Sequence, residues 1–82
     1  MDKIYARFVK PNAGFNNDPE KVSKANLEIG KRYLLEDARV GSWYTQVLLA
    51  EAIEWFNSVH FDFEDEAGDP VDIYSMPEYI TY

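Results

Sequence analysis

The stretch KRYLLEDARVGSWYTQVLL, residues 31–49, decides how this chain folds. A Gly41-Ser42 pair divides two runs, the second of them rich in β-branched and aromatic residues. In the second run Trp43, Thr45, Val47 and Leu49 alternate onto one face, the period of a half-buried strand. Val40-Gly41-Ser42 has the chemistry of a tight turn, so the stretch reads as an antiparallel hairpin.

Working outward, KIYARFV (residues 3–9) alternates in the same way, with Ile4, Ala6 and Phe8 on one side and Tyr5, Arg7 and Val9 on the other. KPNAGFNNDP is loop chemistry, and Asp18-Pro19 starts a short helix near residues 18–26, with a carboxylate for free N–H groups and proline at the first helical position. Leu27-Glu28-Ile29-Gly30 turns into the first strand of the hairpin. Beyond it, AEAIEW (50–55) reads as a connection between strands, the alternative being a helix through residues 46–56. NSVHFDFE (57–64) alternates, with Val59, Phe61 and Phe63 one way and Ser58, His60, Asp62 and Glu64 the other. Glu66-Ala67-Gly68-Asp69 turns the chain, PVDIY (70–74) returns as a strand, and SMPEYITY (75–82) is an aromatic tail packed back on the body. The class expected is mainly β (α+β): a small five-stranded antiparallel barrel, closed or partly open, with one short inserted helix. A sheet with a packed helix is the other arrangement the pattern permits.

The 82 residues make one domain, 1–82, and 46% of them are hydrophobic, too many for a disordered chain. There is no cysteine, hence no disulfide framework and no thiolate metal site. The start, MDKIYARFVK, lacks the apolar region of a signal peptide, and no run approaches the ~20 apolar residues of a membrane span.

Charge is the strongest signal. The net charge is −7, but all eight basic residues lie at or before Arg39, where they face six acids. From Val40 to Tyr82 there are nine acids and no Lys or Arg. Six of the nine fall between Asp62 and Asp72. Any neutralisation must come from the first half of the chain or from a partner.

LEIGKRYLLEDARVGSWYTQVLL followed by FNSVHFDFED resembles small proteins encoded by phages and mobile elements of Gram-positive bacteria. In these a Leu-x-x-Gly-Lys-x-Tyr strand leads to a Gly-Ser-aromatic-x-Thr hairpin and a Phe-Asn-Ser-Val strand. The matching residues here are Leu27, Gly30, Lys31, Tyr33, Gly41, Ser42, Thr45, Phe56, Asn57, Ser58 and Val59. The resemblance implies a Src-homology-3-like (SH3-like) barrel, a bacterial cytoplasmic setting and an accessory role such as anti-CRISPR or other anti-defence activity. It carries over no catalytic residue.

Each chemical motif has a plainer competitor. From Asp62 the acids fall at positions 1, 3 and 5 of a calcium loop, but glycine comes at position 7 and position 12 is Ile73, which cannot ligate. Paired carboxylates on an exposed hairpin keep ordinary acidity and lack a cleft, so they suit acid–base catalysis poorly. His60, the only histidine, has Ser58 two residues away but no third triad member; it reads as an exposed strand residue among carboxylates. Asn57-Ser58 reads as a turn or bulge bonding local backbone. Lys3, Arg7, Lys10, Lys31, Arg32 and Arg39 could gather into a patch, but the overall acidity opposes direct nucleic-acid binding. No enzyme, metal or cofactor is expected.

What remains is the acidic block as an interface. Same-face residues on a strand recur every ~6.5–7 Å, close to the spacing of phosphates along a nucleic-acid strand. Asp62, Glu64, Asp65, Glu66, Asp69 and Asp72, flanked by Glu51 and Glu54, could imitate phosphates before a basic surface. Trp43, Tyr44, Trp55 and Tyr74 are candidate apolar anchors. The expected partner is a basic protein, in particular a nucleic-acid-binding host defence nuclease, without membrane or direct nucleic-acid contact. The alternative is a non-catalytic phage interaction or structural module, oligomeric through an exposed sheet edge.

Overall fold

In the computed structural model, residues 3–14, 18–52 and 54–82 are described. The hairpin forms where the sequence placed it. Strand β2 (Arg32–Val40) pairs antiparallel with β3 (Thr45–Leu49), with Val40 opposite Thr45. The loop is longer than a two-residue turn and spans Gly41 to Tyr44; the Gly41 N–H donates to the Tyr44 carbonyl at 3.2 Å. A Cβ on Gly41 would lie 2.8 Å from that carbonyl oxygen, so the close approach requires glycine. The inward face of β3 is Thr45, Val47 and Leu49. Trp43, expected to share it, sits in the loop and is 88% exposed. Alternation applies only once the chain is extended and paired.

Strand β1 (Tyr5–Phe8) pairs with the first part of β2 and, on its other side, with β5 (Phe61–Glu64). Strand β4 (Trp55–Asn57) pairs with β3. The order is β4-β3-β2-β1-β5, and the long β2 joins the two halves. A bulge at Glu36 marks the junction: Leu35 opposes Leu49 and Asp37 opposes Leu48. The extra residue shifts the inward set from Tyr33 and Leu35 to Ala38 and Val40, so β2 keeps one side on the core while bending. The expected barrel does not close: β4 and β5 remain separate edges of an open five-stranded antiparallel sheet.

Helix α1 (Asp18–Lys24) starts at Asp18-Pro19 as the sequence indicated. At seven residues it is too short to persist alone; its stability comes from burying Val22 in the core. Asn26 ends it in the left-handed region (φ 57°), its N–H donating to the Ser23 carbonyl. The connection from β3 to β4 has no helix among its described residues, in line with the preferred reading of AEAIEW.

Residues 57–64 depart most from expectation. They do not form one alternating strand. A 3-10 turn, Ser58–His60, separates β4 from β5 and carries the chain from one sheet edge to the other. The Asn57 side chain caps it by accepting from the Val59 N–H at 3.2 Å, the local role expected of Asn57-Ser58. The turn inverts the parity: Val59 becomes exposed and His60 fully buried. PVDIY is likewise not a strand. Only an isolated Glu64–Pro70 bridge forms, and a 3-10 turn at Ile73–Ser75 then buries Ile73. The strand count of five holds because the stretch read as one strand supplies part of β4 and all of β5. The tail packs back as expected, with the Thr81 N–H on the Val40 carbonyl at 2.9 Å.

Among the described residues, Phe56, Leu49, Ile73, His60 and Val47 are the largest fully buried side chains. Truncating such a phenylalanine typically costs about 3–5 kcal/mol, a large part of what an 82-residue domain has.

Candidate functional site

The acidic segment follows β1 and β2 into place. On β5, Phe61 and Phe63 point into the core and Asp62 and Glu64 point to the outer face. Antiparallel register sets Arg7 opposite both Arg32 and Asp62, and Tyr5 opposite both Leu34 and Glu64. The Arg7 guanidinium leans diagonally past Asp62 and grips Glu64 with two bonds, Nε–Oε1 at 2.7 Å and Nη2–Oε2 at 3.0 Å. Arg32 lies over the Tyr5 ring, 4.1 Å from its centroid, and donates to Glu64 Oε2 at 3.1 Å. The donors and charge of Arg7, then of Arg32, hold the Glu64 carboxyl below its ordinary value against the opposing effect of burial. The same hydrogen bond to Glu64 raises Arg7. Glu64 is therefore buried and paired, not projecting as the alternation implied.

Arg32 also donates to the carbonyls of Asp65 and Glu66, tying the turn to the sheet. Within the turn, Asp65 Oδ1 accepts from the N–H groups of Ala67 (2.9 Å) and Asp69 (3.0 Å). Gly68 closes it at φ 90°, a conformation that strains other residues. Asp72 accepts from the Tyr74 N–H (3.1 Å) and the Ser75 hydroxyl (2.7 Å), capping the next 3-10 turn. The six acids thus divide: Glu64 is ion-paired, Asp65 and Asp72 bond local structure, and Asp62, Glu66 and Asp69 are exposed. Those last three carboxylates make no hydrogen bond or ion pair among the described residues. Glu51 and Glu54 lie on the β3–β4 connection, 4.0 Å from Lys31 and 3.9 Å from Lys21, both exposed and weakly paired.

The four aromatic candidates are not one cluster. Trp43, Tyr44 and Tyr74, with Val59, line a groove of about 280 Å3 floored by Thr45 and Ser58. The Tyr74 hydroxyl donates to Ser58 Oγ at 3.1 Å, and its ring meets Phe63 edge-on, with the centroids 6.3 Å apart. Trp55 lies elsewhere, on β4, under the Arg39 guanidinium at 4.5 Å. Val59 is a groove residue that alternation hid; the signal for it was Asn57, a cap residue at the break in parity.

His60 is not among the carboxylates. Its Nδ1 lies 2.6 Å from the Lys10 carbonyl, its Nε2 is buried without a hydrogen-bond partner, and Phe8 and Phe61 pack beside the ring. A ring nitrogen that close to a carbonyl carries the proton, so Nδ1 is the donor. Among the described residues no group of three or more His, Asp or Glu is arranged to hold a metal, and no helix is long and apolar enough to cross a membrane.

The family model described as bacteriophage T4 protein Y07B matches residues 3–82. No curated protein and no solved structure matches the chain.

Proposed function

This chain belongs to the bacteriophage T4 protein Y07B family, and on that premise we propose that it is a phage partner-binding protein whose acidic edge occupies a basic, nucleic-acid-binding surface of a host protein. The observation that carries the reading is that the chain's three arginines are committed and that none of its cations pairs with the carboxylates of Asp62, Glu66 or Asp69 among the described residues. Arg7 and Arg32 are spent on Glu64, Arg39 on Trp55, Lys31 on Tyr33 and Glu51, and Lys21 on Glu54 and the Trp55 carbonyl. Asp62 is left exposed on β5, and Glu66 and Asp69 on the hydrogen-bonded turn that follows it. Three free carboxylates, with Asp72 following in the chain, make a shorter phosphate-like row than six. Such a face attracts a positive surface quickly and loses affinity as salt rises.

The target class is a host defence nuclease, a CRISPR effector or restriction enzyme, with the bacterial cytoplasm as the setting. Support for a binding role over catalysis comes from Glu64: a general acid needs a raised pKa, and its two arginines push the other way. The β2 bulge, the two half-sheets sharing that strand and the 3-10 link between β4 and β5 favour an open SH3-like module. Displacement of a labelled duplex from such nucleases tests the proposal. The native chain should displace it at low salt, and Asp62→Lys/Glu66→Lys/Asp69→Lys should not. Equal displacement by both chains sinks it.

The second reading, a phage interaction module, is favoured by the aromatic groove. Its binding would stay level from roughly 0.05 to 0.5 M salt, where contacts of exposed charges fade.

A further inference from the structure

Trp43, Tyr44, Val59 and Tyr74 are 88%, 47%, 46% and 45% exposed, and all four line one groove. Among the described residues two other large apolar side chains, Ile29 and Tyr82, are exposed, and neither lines it. At about 280 Å3 it falls just below the roughly 300–1,000 Å3 of small-molecule sites, a size suited to a side chain. Tyr74 is a shared wall: it also lines a depression along β5 that contains Asp62. The turn carrying Tyr74 is capped by the exposed carboxylate of Asp72. Every residue lining the groove belongs to the part of the chain without Lys or Arg. The cation in the adjoining depression, Arg7, is turned to Glu64 and the Gly30 carbonyl.

We propose that this groove receives an arginine side chain of the basic partner. Three aromatic rings, with Asp62 in the adjoining depression, Asp72 capping the turn that carries Tyr74 and no cation lining the groove, favour a planar, weakly hydrated guanidinium, which stacks on ring faces and pairs with carboxylates. Lysine, a compact and strongly hydrated charge, suits such a wall less well. A second copy of this chain is a poor source of the arginine, because Arg7, Arg32 and Arg39 are all engaged. The inference rests on the acidic-edge reading and adds the anchor that gives that edge selectivity.

The experiment titrates isotope-labelled protein with hexa-arginine, hexa-lysine and an uncharged Ser/Leu hexapeptide, following backbone amide shifts. Hexa-arginine should move Gly41, Tyr44, Thr45, Val59 and Tyr74 together with residues 62–72, and bind several-fold tighter than hexa-lysine. Trp43→Ala should weaken hexa-arginine about fivefold to tenfold, leaving the slope of affinity against salt unchanged. Trp43 is so exposed that its truncation leaves the core intact, which the amide spectrum checks. If hexa-arginine moves only residues 62–72 and Trp43→Ala binds equally, the groove assignment is overturned and the acidic edge survives. Movement of neither region overturns the assignment and counts against the acidic edge as well. Preference for the uncharged peptide, or concentration-dependent shifts without peptide, overturns the assignment in favour of an apolar site or a dimer face.

Discussion

The Glu64 site on the outer face of β1, β2 and β5 and the exposed positions before and after it, Asp62, Glu66 and Asp69, are neighbours, yet they treat carboxylates in opposite ways. On the sheet face Glu64 is buried and held by two arginines. Two residues earlier on the same strand and the same face, Asp62 is exposed and unpaired among the described residues, although Arg7 is its cross-strand neighbour. Proximity in register does not decide pairing; the reach of the side chain does. Arg7 spans the diagonal to Glu64, where a second arginine and the turn carbonyls reward convergence. Glu64 and Asp65 hold the fold, and Asp62, Glu66 and Asp69 stay exposed.

The largest effect is expected from Glu64→Lys, which puts a third cation between Arg7 and Arg32. We predict a fall in Tm on the order of 10 °C or more by thermal melt. A fall of a degree or two would make Glu64 one more surface acid and erase the contrast. Glu64→Gln separates charge from shape. A depressed carboxylate contributes stability that is fully present above its ordinary value of 4.5 and is lost as pH falls through the lowered one. Urea midpoints of the native chain should therefore drop more between neutral pH and roughly pH 3 than those of Glu64→Gln. Parallel drops would remove Glu64 from the acid sensitivity. Tyr74→Phe, which loses only the bond to Ser58, should cost about 0.5–1.5 kcal/mol in the same assay. The smallest stability change per site belongs to Asp62→Lys/Glu66→Lys/Asp69→Lys, each substitution within about 0.5 kcal/mol of neutral. A large loss there would show that the turn depends on those acids.

Much of the fold was legible because it rests on local chemistry. The Gly41 hairpin, the Asp18-Pro19 helix start, β1 and the glycine turn at 68 follow from residue type and period. The 3-10 turn at Ser58–His60 was not legible: Val-His-Phe-Asp-Phe alternates as well as any strand, and only the need to cross between sheet edges breaks the period. His60 and Val59 exchanged roles for that reason. Of the site, the acidic segment was visible in the sequence, but the division of its acids was not.

The sequence by itself determined the segregation of charge, the absence of thiol chemistry and the positions of most strands, since composition and period are properties of the chain alone. Tertiary structure decided which carboxylates remain available. Arg7, Arg32 and Glu64 are 25 and 32 residues apart along the chain and meet only because β1 pairs with both β2 and β5. It also brought Trp43 and Tyr44 to Tyr74 while leaving Trp55 under Arg39. Pairing over such separations depends on register and side-chain reach, which no local window of sequence contains.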